Sequence, residues 1–231
     1  MRHTLVGILV GCFSMVFLNA QTLDSVPPGS DLNYLEDQFY LGVTYNFLLG
    51  KPETVTQRNL SYGLQAGVIK DIPLNRKRTT ALGVGLGLGI NSYYTNMVVS
   101  EVSDGFLYSV LEDIADLKRN KIETHLLEMP FEFRWRNSTP EEYRFWRVYA
   151  GFKLAYVVGA RSKYVSDTEK TSFYNKNVEK FQYGATFSFG YNTFNVHVHY
   201  ALNSLFNNSA ELNGENINMK PLRVGFIFYI L

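Results

Sequence analysis

The chain has 231 residues, with 22 Lys and Arg against 21 Asp and Glu, and its mean hydropathy is -0.11. A net charge near zero argues against a nucleic-acid-binding surface, and a single cysteine, Cys12, excludes a disulfide framework and a cysteine zinc site. After Gln21 no apolar run approaches the roughly 20 residues of a transmembrane helix, which excludes a helical membrane protein.

The first 20 residues are typical of a secretory signal peptide. Arg2 precedes an apolar run from Leu5 to Leu18, and the small residue Ala20 follows shortly after it. We expect cleavage after Ala20, which leaves 21–35 as a flexible periplasmic segment and 36–231 as the folded domain. A competing pattern resembles a lipoprotein processing box, and it would instead place a lipid on Cys12.

Apolar residues alternate in eight stretches of the remaining chain. In the clearest stretch, Leu82 to Ile90, large aliphatic residues alternate with glycine, and only a strand places every second side chain on one face. Each stretch is close to the 9–11 residues with which a tilted strand crosses a bilayer. The eight predicted strands cover residues 39–47, 60–68, 82–90, 127–136, 146–159, 181–191, 194–203 and 222–230.

The connections between these strands alternate in length. Short ones (71–79, 137–143 and 192–193) alternate with longer ones (50–59, 93–120, 161–177 and 203–220), which is the asymmetry of outer-membrane barrels. Aromatic residues also gather at the strand ends, as in the two girdles of such barrels. The pattern predicts a closed antiparallel up-and-down transmembrane β-barrel of eight strands, monomeric and located in the outer membrane of a Gram-negative bacterium. A soluble sandwich or lipocalin-like barrel also alternates, but it places polar residues outside.

The longest connection carries apolar residues at helical spacing, namely Leu107, Val110, Leu111, Ile114 and Leu117. Asp104 precedes them as a possible N-cap. The segment therefore predicts either a short amphipathic helix at the barrel mouth or a loop that packs on itself.

Nine ionisable residues fall on the predicted inner face of the barrel: Glu128, Glu132, Arg134, Arg136, Arg147, Lys153, Arg223, His197 and His199. A barrel of about eight strands is filled by side chains, and buried charges must pair. The pattern predicts a salt-bridged plug, with a polar lumen that passes or binds something small as the alternative. The four glycines of the third strand would leave room for Arg134, Arg136 and Lys153.

Candidate chemistry is sparse. His197 and His199 share one face, but no third ligand accompanies them, so we expect neither a metal nor another cofactor. Ser92, Asp104 and His125 lie in the same outer region without a spacing that fixes their geometry, and we predict that the protein is not an enzyme. A lipid-modifying or proteolytic barrel stays open as the less favoured hypothesis.

Four segments resemble PorT family outer-membrane proteins of the Bacteroidetes: Glu36 to Asn46, Lys70 to Asn75, His125 to Pro140 and Phe145 to Lys153. The resemblance spans nearly the whole mature chain and is most specific from Leu127 to Lys153. It implies an accessory or assembly role in type IX protein secretion, which exports surface proteins and, in gliding species, motility adhesins. Expected partners are outer-membrane lipid and other secretion-machinery proteins, contacted through the outer loops and the periplasmic turns 73–78 and 137–144. A general structural barrel or narrow pore is the alternative.

Overall fold

The structure is a computed structural model that describes residues 37–58, 60–75, 77–103, 105–111, 117–137 and 146–230. The predicted signal peptide (1–20), the predicted periplasmic segment (21–35) and Cys12 lie outside these ranges, so those three expectations stay predictions. Within the described ranges, no helix is long and apolar enough to span a membrane.

Eight long strands form the wall of a barrel. They are β1 (Asp37–Leu49), β2 (Tyr62–Pro73), β3 (Thr80–Tyr94), β6 (Leu117–Arg136), β7 (Trp146–Ser166), β9 (Phe181–Tyr191), β10 (Phe194–Ala201) and β13 (Lys220–Ile230). Every neighbouring pair is antiparallel, β1 pairs with β13, and the pairing of β6 with β7 closes the sheet. The predicted closed eight-stranded antiparallel barrel is confirmed.

The wall follows the alternation of the sequence. On β3 the aliphatic side chains Leu82, Leu86 and Leu88 are exposed on the outside, while the intervening glycines face the interior. Aromatic side chains cluster on the outer surface of the barrel near its periplasmic end, where Trp146 stacks on Phe189 with ring centroids 5.2 Å apart. An apolar outer belt with aromatic side chains at its edge is the surface that a bilayer requires.

Two strands run well past the predicted boundaries. β6 begins at Leu117 rather than 127, and β7 continues to Ser166 rather than 159. They pair with each other along this extension, with Lys121 opposite Lys163 and Glu123 opposite Arg161. The extension carries polar and charged residues outward because it lies beyond the apolar belt, so the alternation that marks a lipid-facing strand is missing there.

The outer connections contain short strands instead of a helix. These strands are β4 (Met97–Val102), β5 (Gly105–Val110), β8 (Lys170–Tyr174), β11 (Glu211–Leu212) and β12 (Glu215–Asn216). The helical interpretation of the longest connection (93–120) is wrong for the residues described, because Leu107 and Val110 lie in β5 and Leu117 lies in β6. Asp104 and Ile114 lie outside the described residues. The β4 segment supplies a partner strand, and this tertiary pairing overrides the helical spacing.

Candidate functional site

The nine residues predicted for the interior are all buried inside the barrel, and the most accessible of them, Glu132, is 6% exposed. They occupy the inward positions of β6, β7, β10 and β13. Ion pairs and a ring contact of Arg147 place seven of them in two groups, an upper group nearer the outer end of the barrel and a lower group nearer the periplasm.

Glu128 is the centre of the upper group. Its two carboxylate oxygens accept hydrogen bonds from Lys153 Nζ at 2.8 Å and from Arg223 Nη1 at 3.3 Å. Lys153 also donates to the Gln65 side-chain oxygen on β2 at 2.5 Å. One fully buried carboxylate therefore holds two cations from two other strands, and this ties β6, β7 and β13 together across the lumen.

Asp71 is the centre of the lower group. Its carboxylate accepts from Arg134 Nη1 at 2.5 Å and from Arg136 Nη1 at 2.9 Å. Arg134 also donates to Glu132 at 3.0 Å and to Gln38 at 3.1 Å. Sequence reasoning missed Asp71 because it placed this residue in a turn. The inward phase of β2, set by Gly63, Gln65 and Gly67, would have included it if the strand had been continued to Pro73.

Tyrosine rings complete the lower group. The Arg134 guanidinium lies 4.4 Å from the ring centroid of Tyr149 and 4.9 Å from that of Tyr229, which is the range of cation–π contact. Arg147 also approaches the Tyr229 ring, at 6.0 Å. Charge, hydrogen bonds and aromatic rings therefore fill this part of the lumen together.

The glycines of β3 make room for side chains from other strands, though not for the set that was expected. A Cβ at Gly83 would lie 2.8 Å from Arg134 Nε, as predicted. A Cβ at Gly89 would lie 2.8 Å from Glu128 Oε1, and one at Gly87 would overlap the Tyr40 hydroxyl. Arg136 and Lys153 are not the neighbours of these glycines, because the register of β6 and β7 places them elsewhere.

The two inward histidines border the upper group. The Nδ1 atom of His197 and the Ser188 hydroxyl are 2.8 Å apart, and both histidines line one small cavity together with Glu128. This cavity measures about 10 Å³, the space of one water molecule. Among the residues that the structure describes, no three His, Cys, Asp or Glu side chains converge in a way that could hold a metal ion.

An apolar outer cap closes the mouth of the barrel. It combines inward side chains at the outer strand ends with side chains that fold in from the outer connections. Its members are Leu48, Val55, Tyr93, Met97, Val99, Tyr108, Ile122, Leu126, Ala155, Val157, Ala160, Val178, Leu205, Phe206, Ala210, Leu212, Ile217 and Met219. Their burial away from water stabilises the folded loops over the lumen.

Tyr108 shows how the β4–β5 hairpin takes part in the outer cap. Its ring meets the Phe206 ring edge-on with centroids 5.6 Å apart, and its hydroxyl donates to the Asn175 side chain at 3.3 Å. Burial raises the pKa of the Tyr108 hydroxyl above its ordinary value. Sequence reasoning missed the cap, although isolated apolar pairs such as Leu205 and Phe206 within polar loops are a signal for it.

The outer Ser92 and His125 do not form a nucleophile–base pair. Ser92 is fully buried, and its hydroxyl contacts Glu123 at 3.4 Å and Lys121 at 3.2 Å. His125 Nε2 lies 3.3 Å from the other carboxylate oxygen of Glu123. Both side chains therefore use Glu123 as a partner, and a buried hydroxyl among charged neighbours is closed to a substrate; Asp104 lies outside the described residues.

The family model for the outer membrane protein beta-barrel domain matches residues 19–207. The chain belongs to this family. The protein is therefore an outer-membrane β-barrel, and its location in the outer membrane follows. The apolar belt described above is accordingly its lipid-facing surface.

Two solved structures are similar to the chain, both of Ail, the attachment invasion locus protein of Yersinia pestis. The first is 13% identical with a TM-score of 0.31, and the match covers 83% of this chain and 97% of Ail. The second, a complex of Ail with the heparin analogue sucrose octasulfate, is 11% identical with a TM-score of 0.33, and the match covers 85% and 99%. None of the curated proteins matches the chain in sequence.

Proposed function

We propose that this outer-membrane barrel is a sealed protein that acts through contacts with other proteins, as an accessory or assembly component of type IX secretion. The observation that carries the proposal is the filled lumen. Glu128 and Asp71 are each paired with cations from other strands, the outer cap covers the lumen, and the upper cavity has room for about one water molecule. A barrel filled in this way offers its surfaces, rather than a passage, as its means of action.

The resemblance to PorT family proteins supports the secretion role. The segment of closest resemblance, Leu127 to Lys153, supplies six of the nine predicted interior residues, including Glu128, Arg134 and Lys153. The segment that carries the resemblance thus also builds the plug. We propose that this protein is a PorT-like barrel, and that the ion-paired side chains in its lumen make the barrel wall rigid enough to support contacts with partner proteins.

Two exposed apolar side chains outside the belt mark surfaces for such contacts. Leu107 is 59% exposed on the β4–β5 hairpin at the outer side, and Leu74 is 53% exposed in the periplasmic turn after β2. Leu74 lies within the turn 73–78 that was expected to meet partners. The other expected turn, 137–144, lies outside the described residues after Asn137.

The first test is deletion of the gene in its own host, followed by measurement of the surface proteins that reach the medium and the cell exterior. We expect their export to fall and to return when the wild-type gene is restored. Unchanged export would refute the secretion role and leave a general structural barrel.

The second test places a photo-crosslinking amino acid at Leu74 or at Leu107, with lipid-facing Leu86 as the matched control. We expect protein adducts at Leu74 or Leu107 and none at Leu86. Single-channel recording provides a further check, since stable conductance through the wild-type barrel would contradict the sealed lumen and favour the narrow pore.

A further inference from the structure

The outer wall of the barrel has a polar notch where β3 ends and β6 continues. The last residue of β3, Tyr94, is paired with Lys121, so the first four residues of β6, at 117–120, extend past the end of the neighbouring strand. The notch is a cavity of about 50 Å³ lined by these four residues together with Arg58, Tyr94 and Thr95. Among the described residues, no strand pairs with this edge of β6, so the notch differs from the rest of the wall.

Three of the lining side chains that the structure describes are cations, and none of those described is a carboxylate. Lys118 forms an ion pair with Asp167 across the top of the wall. Arg58 and Arg119 form no ion pair within the part of the chain that the structure describes. Two guanidinium groups at one small polar cavity provide the forked donors that match a phosphate group.

The positive charge continues along the outward face of β6 and β7. Lys121 stands over the Tyr94 ring at 5.7 Å and is paired with Glu123, but the residue opposite it on β7 is Lys163. Arg161 lies opposite Glu123, whose carboxylate already contacts Lys121 and His125. Like charges directly opposite each other on adjacent strands destabilise the pair, so a bound anion would relieve the repulsion.

The height of this surface above the lipid belt indicates which anion it meets. Ile90 is the outermost exposed aliphatic residue of β3, and Tyr94 follows four residues later. At about 3.3 Å per residue and a tilt of about 40°, the notch lies roughly 10 Å beyond the apolar belt. This is the depth of lipid head groups, and the outer leaflet of a Gram-negative outer membrane consists of glycolipid with phosphate on its sugars.

We propose that this basic patch, comprising Arg58, Lys118, Arg119, Lys121, Arg161 and Lys163, binds the sugar phosphates of the outer-leaflet glycolipid. The notch holds one phosphate between Arg58 and Arg119. The cations on β6 and β7 attract the remaining negative charge of the head group. The barrel is thereby fixed to the leaflet at one side of its circumference.

The test is a titration of the refolded protein, in zwitterionic micelles, with bisphosphorylated lipid A and with the same lipid after removal of both phosphates. We expect the wild type to prefer the phosphorylated lipid, and the variant Arg58→Gln with Arg119→Gln to bind it about 25-fold more weakly, since each surface cation contributes about fivefold. The matched control, Lys176→Gln with Lys180→Gln, removes the same charge from another outer connection and should change binding less than twofold.

Three outcomes would overturn the proposal. They are equal affinity for the two lipids, an equal loss of affinity in the control variant, and displacement of the lipid by millimolar inorganic phosphate, which would indicate a site for the free anion. Heat-modifiable gel mobility checks that each variant is folded. If the double glutamine variant does not fold, Arg58→Lys with Arg119→Lys tests the same site, because it keeps the charge while removing the forked donors. Its affinity for the phosphorylated lipid should lie below that of the wild type and above that of the dephosphorylated lipid.

Discussion

The packing of Tyr40 against two glycines allows a sharp test of the filled interior. Gly67 on β2 and Gly87 on β3 are direct cross-strand partners, and the Tyr40 side chain from β1 lies over both of them. A Cβ added at Gly87 would overlap the Tyr40 hydroxyl, and it would lie 2.9 Å from Tyr40 Cζ and 2.8 Å from the carbonyl oxygen of Ala66. Gly87→Ala therefore forces a buried ring to move within a packed lumen.

Two opposing effects set the magnitude. Replacing a strand glycine by alanine stabilises by about 0.5–1 kcal/mol through backbone entropy, whereas overpacking a filled interior costs about 1–3 kcal/mol. We expect the clash to win and the free energy of unfolding to fall by about 1–2 kcal/mol. Tyr40→Phe removes the overlapping hydroxyl, which has no hydrogen-bond partner within the described residues, so this change alone should be close to neutral.

The assay is reversible urea unfolding of the refolded barrel in lipid vesicles, followed by tryptophan fluorescence, for the two single variants and the double variant. Tyr40→Phe should recover part of the loss caused by Gly87→Ala, with a coupling energy of about 0.5–1 kcal/mol. Gly159→Ala is the matched control, since a Cβ there would meet its nearest atom, on His125, at an ordinary 3.5 Å. If Gly87→Ala is as stable as the control, or if Tyr40→Phe recovers nothing, the interior is not packed as described.

Two further predictions concern the upper group and the outer cap. Glu128→Ala leaves the cations Lys153 and Arg223 buried without their carboxylate, so the free energy of unfolding in the same urea assay should fall by about 3–5 kcal/mol. As the control, Glu211→Ala at an exposed position should leave the free energy of unfolding unchanged. Equal stability of the two variants would contradict the ion-pair network around Glu128. Tyr108 has a raised pKa when folded, so its contribution to stability is complete below the unfolded value of about 10 and is lost as the pH rises above it. Limited proteolysis of the outer loops should accordingly accelerate at alkaline pH in the wild type, and this acceleration should be weaker in Tyr108→Phe; an identical pH profile for both proteins would show that this hydroxyl is not responsible.

Much of the barrel wall could be predicted from residue types alone. A lipid-facing strand must alternate, because lipid meets every second side chain, and this requirement is local enough to be read from a stretch such as Leu82 to Ile90. The same phase identified the inward residues, which is why Glu128, Arg134 and Lys153 were assigned to the lumen. Residues outside the belt have no such constraint, so the ends of β6 and β7 were misplaced.

Local sequence also showed which connections are short and which are long, and this asymmetry assigns each connection to one side of the membrane. The partners of the interior charges depended on the tertiary structure. Asp71 and Arg134 are 63 residues apart in the sequence, and they meet only because β2 pairs with β3 and β3 pairs with β6 in the observed registers.

The outer cap had the same origin. Its loop side chains come from four separate connections, and in one of these the β4–β5 pairing turned an apparent helix into a hairpin. The alternation that marks a strand is set by each residue's own surroundings in lipid. Ion pairing, cap packing and the notch at the end of β3 depend on which strands become neighbours, and that is settled only when the barrel closes.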